Sequence, residues 1–188
     1  MGKLADVAQL RGWRVYRASN AEEALDYICG LATSSSAKLV VRSDQEVFQS
    51  VPVDGSLSGM GVEVKVMAQA WGLSREELRQ TAARADIGIT GADYAIAETG
   101  SVVVLPRQGL SRLVSLAPPI HVAVVRTQDV VENLEDVFIL RRLAYHQGDR
   151  DMGSYMNFIT GPSRTADIEA TLVIGVHGPR DVHLVLLG

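Results

Sequence analysis

Three times in this chain an apolar run ends in an arginine with a hydroxyl close behind: Tyr16-Arg17-Ala18-Ser19, Val40-Val41-Arg42-Ser43 and Val124-Val125-Arg126-Thr127. Each is followed by a small polar residue with a carboxylate three positions on: Asn20 with Glu23, Ser43 with Glu46, Asp129 with Glu132. Ser74 with Glu77 makes a fourth such pair. That spacing is a helix-start signature, because the polar side chain accepts a free amide of the first turn and the carboxylate can answer it. Behind the caps the apolar spacing is helical at Ala21, Ala24, Leu25, Ile28, at Leu78, Ala82, Ala85, and at Val130, Leu134, Val137, Phe138. Strand, arginine, hydroxyl, helix is the rhythm of βα units, whose ligands sit at the carboxyl ends of the strands.

The predicted strands are Trp13–Tyr16, Leu39–Val41, Val62–Val66, Ile87–Thr90, Val102–Leu105, Ile120–Val125, Leu172–Val176 and His183–Leu187. Most are continuously apolar, as strands covered on both faces are. Val62, Val64 and Val66 alternate with Glu63 and Lys65, which places that strand at an edge or in a smaller sheet. The expectation is an α/β protein with a mainly parallel sheet, and a length of 188 residues fits one domain over residues 1–188.

Eighteen basic and 22 acidic residues leave a net charge of −4, which argues against nucleic-acid binding by bulk electrostatics but leaves room for a small basic pocket. Cys29 is the only cysteine, so an intrachain disulfide, a four-thiolate cluster and a cysteine-rich zinc site are all excluded. No apolar run approaches the roughly 20 residues of a bilayer span, and the first residues have no signal-peptide core. The reading is a cytoplasmic protein without membrane insertion and without a cofactor of its own. Pro52 to Gly61 is Gly/Ser-rich and reads as a mobile connector, since it lacks the Lys-Ser/Thr of a phosphate-binding loop. The polar stretch from Tyr145 to Ser154 reads as a solvated loop placed where a lid would be.

Chemistry concentrates in three turns. Glu98-Thr99-Gly100-Ser101 precedes a strand, and a glutamate there can act as general base, nucleophile or cation ligand, or simply accept backbone N–H bonds. Thr160-Gly161-Pro162-Ser163-Arg164-Thr165-Ala166-Asp167-Ile168-Glu169 combines hydroxyls, an arginine and two carboxylates. A short helix starting near Pro162 would aim its free N–H groups outward, and with Arg164, Ser163 and Thr165 would suit a carboxylate or phosphate. Asp167 or Glu169 would then steady Arg164. The third turn, His177-Gly178-Pro179, sits where an imidazole meets a ligand, whereas His121 and His183 lie in strands and read as core residues.

Read together, Glu98–Ser101, Arg112-Leu113-Val114-Ser115-Leu116, Pro119-Ile120-His121, Thr160–Glu169 and Gly175-Val176-His177-Gly178-Pro179 resemble the LUD-domain family, in its lactate-utilisation C branch. The resemblance runs from about Ala85 to the C-terminus, with Gly161–Glu169 its most specific block, while the first 80 residues match loosely. It implies the mainly parallel, Rossmann-like α/β fold of the sugar-phosphate isomerase and CoA-transferase superfamily, and a part in bacterial oxidation of L-lactate to pyruvate beside iron–sulfur partner proteins. A single cysteine and no dinucleotide fingerprint would make this chain a non-redox, accessory member. The candidate ligand residues are Thr99, Gly100, Gly161, Ser163, Arg164, Thr165, Asp167, Glu169, His177 and Gly178. An alternative stays open: an independent enzyme acting on an acyl-CoA or sugar phosphate, with Glu98 as nucleophile or base, since CoA transferases use a similar Glu-x-Gly turn.

Overall fold

The structure is a computed structural model that describes residues 1–68, 74–106, 111–149, 152–153, 155–166 and 171–188. In chain order, α1 (Gly2–Arg11), β1 (Arg14–Ala18), α2 (Ala21–Ser34), β2 (Leu39–Arg42), α3 (Val47–Ser50), α4 (Val53–Gly59) and β3 (Glu63–Val66) come first. Then follow α5 (Arg75–Arg84), β4 (Ile87–Gly91), β5 (Tyr94–Ile96), β6 (Ser101–Val104), α6 (Ser111–Leu116), β7 (Ile120–Arg126), β8 (Val130–Val131) and α7 (Leu134–Ala144). The chain ends through β9 (Asn157–Ile159), β10 (Arg164–Thr165), β11 (Val173–Ile174) and β12 (Asp181–Leu187).

The main sheet has the order β1-β12-β7-β4-β2-β3, with every neighbouring pair parallel. From β2 the chain steps out to β3 and then returns through β4, β7 and β12. Successive connections thus leave β2 and β4 in opposite directions, and a crevice opens between their carboxyl ends. β3, the alternating strand, is an edge strand as its pattern predicts. A second sheet, β8-β5-β6-β9, is mostly antiparallel and lies across one face of the first.

One face of the main sheet buries Ile87, Ile89, Val122 and Val124 under Ile28 of α2 and Leu57 of α4. The other face packs Ala123, Val125, Leu184 and Leu186 against Leu4 and Ala8 of α1 and Val102 and Val104 of the second sheet. Toward β2, that second face is covered by α5 and α6 through Leu78, Ala82 and Val114. Each fully buried Val, Leu or Ile among them contributes about 1.5–3 kcal/mol. Gly88 is required for this closeness: a Cβ there would lie 1.8 Å from the Val114 carbonyl oxygen.

Several expectations change. Asn20 and Ser74 cap their helices, and Ser74–Glu77 forms the full reciprocal box. The Asp129–Glu132 cap does not form. Asp129 instead holds Arg126 through contacts of 2.8 and 3.0 Å, and the next helix starts four residues later on an Asn133–Asp136 box. Ser43 does not cap either, because its hydroxyl donates to Gln45 Oε1 at 2.7 Å. The Gly/Ser-rich connector folds as α4, since Val53 and Leu57 are both fully buried. Leu172–Val176 supplies only the two-residue β11, paired with β10 outside the main sheet, and Val102–Leu105 belongs to the second sheet. Of the stretch Tyr145–Ser154, Tyr145–Asp149 continues from α7 as a π-turn kinked at Gly148, and Arg150, Asp151 and Ser154 lie outside the described residues.

Candidate functional site

The three sequence motifs do converge, and they converge on the end of α1. Gly100, at φ +69, leaves no room for a side chain, since a Cβ would lie 2.8 Å from the Ala8 backbone nitrogen. Trp13 Nε1 donates to the Gly100 carbonyl at 3.1 Å, and Arg11 Nε donates to the Thr99 carbonyl at 3.4 Å. Thr99 Oγ1 donates to Ser101 Oγ at 2.8 Å, and Ser101 Oγ shares a hydrogen bond of 2.7 Å with Thr160 Oγ1. A row of hydroxyls therefore links the Glu98 turn to the Thr160 turn. Ser163 continues the chain: its amide donates to the Pro179 carbonyl at 2.9 Å, and its Oγ accepts from the His177 amide at 3.3 Å.

This arrangement corrects the expected helix at Pro162. Gly161 turns at φ +97 directly against the Arg11 carbonyl, and Arg164–Thr165 then pairs as a strand with Val173–Ile174. The Ser163 amide is already taken by Pro179, so no row of free amides points outward there. Arg164 is exposed, and its Nη2 donates to the Arg11 carbonyl at 2.9 Å, capping the C-terminus of α1. Asp167 and Glu169 lie outside the described residues. Glu98 and His177 are exposed, and Gly178 is half-buried against Ser163 and Leu116. The Glu98 amide donates to the Glu132 carbonyl at 3.0 Å. Its carboxylate, with Glu132, acts on Lys3, whose ion pair with Glu132 holds the ammonium above its usual pKa.

His121 and His183 are buried, as strand histidines should be. His121 Nε2 lies 2.9 Å from Thr90 Oγ1, and His183 Nδ1 lies 2.7 Å from the Tyr27 hydroxyl. Burial drives the His121 pKa down to about 3, and the neighbouring His183 adds to the effect. The Trp13 ring lies 6.0 Å from that of His121, between it and the Gly100 carbonyl.

Two further sites escape a reading of motifs. At the carboxyl ends of β2, β4 and β7, a crevice of about 170 Å³ is lined by Gln45, Glu46, Val47, Ala92, Asp93, Arg126 and Asp129. Its arginine is already engaged by Asp129 and, at 3.2 Å, by Glu46. The second is a groove of about 390 Å³ formed by Arg75, Arg79, Arg112, Leu113, Leu116 and Tyr155. Arg112 lies 5.8 Å from the Tyr155 ring centroid, and no ion pair among the described residues involves Arg75, Arg79 or Arg112. Three arginines without carboxylate partners around one groove can hold phosphoryl or carboxylate oxygens. The sequence offers a partial signal, since Arg75 and Arg79 share one face of α5 at i,i+4 spacing, but Arg112 and Tyr155 arrive only through the fold.

The LUD-domain profile matches residues 1–187. The chain belongs to the LUD-domain family. A lactate utilization protein C of Halalkalibacterium halodurans is 46% identical over 104 residues, covering 55% of this chain and 45% of that protein. A lactate utilization protein C of an Exiguobacterium species is 40% identical over 122 residues, covering 62% of this chain and 51% of the relative. A lactate utilization protein B of Anoxybacillus flavithermus is 25% identical over 98% of this chain and 48% of its own length. This LUD-domain chain thus spans about half the length of the curated relatives it matches. The crystal structure of a DUF162 family protein from Deinococcus radiodurans superposes with a TM-score of 0.63 at 22% identity, covering 100% of this chain and 95% of that one, which supports the α/β fold.

Proposed function

We propose that this chain is a non-redox accessory protein of bacterial L-lactate utilisation, binding a small anion and docking on iron–sulfur partner subunits during oxidation of lactate to pyruvate. The observation that carries the reading is the similarity to lactate utilization proteins C at 46% and 40% identity, in a chain with one cysteine. The similarity to lactate utilization protein B favours a system of more than one subunit. For the anion, we assign the groove of Arg75, Arg79 and Arg112 in preference to the Thr160 turn, because three arginines line it where the turn offers Arg164 alone, one of whose donors serves the end of α1. Lactate oxidation reconstituted from the partner proteins tests the reading: activity should depend on adding this chain. Full activity without it would overturn the proposal.

A second reading is favoured by one observation. Glu98 is exposed at the head of the Thr99–Ser101–Thr160 hydroxyl row, a place from which a carboxylate can attack an acyl group or take a proton. On that reading the chain is an enzyme for an acyl-CoA or a sugar phosphate. Turnover of either substrate class that vanishes in a folded Glu98→Gln variant would establish it, and an unaltered rate would remove Glu98 from the mechanism.

A further inference from the structure

Helix α7 stands with its apolar side outward. Leu134 is 41% exposed, Phe138 43%, Ile139 60% and Leu143 48%, while Val137 and Arg141 are the residues it buries. At about 100° per residue, Leu134, Phe138, Arg142, Glu135, Ile139 and Leu143 span one half of the helix circumference, with Leu134 at the margin beside Arg141, Leu143 at the other margin and Val137 on the opposite half. Four large apolar side chains on the outward half of a helix mark a face made to be covered. The uncovered area extends beyond the helix. Phe158 of β9, 39% exposed, is paired with Val103, which packs with Val137 beneath α7.

The order of residues says what covers this face. Read inward from both ends, Leu134-Glu135-Asp136-Val137-Phe138-Ile139-Leu140-Arg141-Arg142-Leu143 pairs Leu134 with Leu143, Glu135 with Arg142 and Phe138 with Ile139. About the midpoint between Phe138 and Ile139, apolar reflects onto apolar and acid onto base, and these three pairs are the outward half of the helix. Two such helices laid antiparallel across a twofold axis put every residue opposite its reflected position. Phe138 and Ile139 of the two copies meet at the centre, Glu135 faces Arg142 on either side, and Leu134 meets Leu143 at the ends. A twofold contact must be self-complementary in this way, with i on j and j on i, and antiparallel packing also opposes the helix dipoles.

We infer that α7 is a self-association surface through which two copies of this chain pair antiparallel about a twofold axis between Phe138 and Ile139. One 11-residue helix is a small contact beside the roughly 800 Å² per partner of a standard interface, so the pairing is reversible and depends on concentration.

Sedimentation velocity on the purified chain, up to about 200 µM, tests this. The parent protein should convert to twice its monomer mass as concentration rises, and Ile139→Asp should stay monomeric. Glu135→Arg and Arg142→Glu should each weaken pairing at least tenfold. The double variant should recover it, and mixing the two single variants should yield mixed dimers. All these positions are exposed, so circular dichroism and melting should match the parent and exclude misfolding. A parent that stays monomeric across this range overturns the inference, and so does a dimer indifferent to Ile139→Asp. A double swap as weak as the singles overturns the antiparallel register.

Discussion

His121 sits fully buried between Thr90 and Trp13, whose ring centroid is 6.0 Å from its own, and this makes it a reporter of the folded state. Burial lowers its pKa from 6.5 to about 3, and burial lowers that of His183 as well, despite the nearby Asp181. An unfolded chain takes up these protons near pH 6.5, whereas the folded one resists until the pH is far lower. The contribution of His121 is therefore full above about pH 7 and is lost as the pH falls from 6.5 toward 3, at up to about 1.4 kcal/mol per pH unit, and His183 acts in the same direction. Urea midpoints at pH 7.5 and 5.0 should differ accordingly, and His121→Gln should flatten the difference. A variant as pH-sensitive as the parent would assign the effect to other groups. Glycines give a second contrast at this scale. Gly100→Ala combines a left-handed φ with a clash on the α1 backbone and should cost about 2–4 kcal/mol. Gly30→Ala, exposed within α2 with open space at its Cβ, should stabilise by about 0.5–1 kcal/mol. Thermal or urea melts of both variants check the two signs.

At the scale of elements, what could be read from sequence was what neighbours in sequence decide. The Asn20 and Ser74 caps and the alternation of β3 are local, and each stands where its pattern puts it. What failed was decided by contacts far along the chain. The Gly/Ser-rich α4 is helical because Val53 and Leu57 fill the core beside α2, which overrides a poor intrinsic propensity. Two cap signatures overlap before α7, and Arg126 settles the choice by taking Asp129 for itself, leaving Asn133 to start the helix. Asn133→Ala should then cost about 1 kcal/mol, as loss of a cap does. Glu132→Ala, which removes only the exposed pair with Lys3, should change stability by less than about 0.5 kcal/mol. Chemical denaturation of the two variants separates them, and the reverse ranking would restore the Asp129–Glu132 start.

Over the whole molecule, the Glu98 and Thr160 turns meet at the end of α1, and three arginines gather around a separate groove. Ser101 and Thr160 share a hydrogen bond across 59 positions of sequence, a pairing that no local pattern encodes. The same distance hides the groove, whose arginines come from α5 and α6 and whose tyrosine follows α7. Three arginines around one groove, with no ion pair among the described residues, make a local positive field in a protein of net charge −4, and a phosphorylated or carboxylated ligand would complement it. Titration with pyrophosphate and with pyruvate, followed by calorimetry, should place binding in this groove. Arg79→Gln and Arg112→Gln should each weaken it about tenfold, the loss expected of roughly 1.4 kcal/mol per charge-assisted contact. Added salt should weaken binding further, since the groove is open to solvent. Glu98→Gln should leave the affinity unchanged, because Glu98 belongs to the α1 junction. If Glu98→Gln abolished binding while the arginine variants did not, the anion would belong at the hydroxyl row, and the enzyme reading would take the place of the accessory one.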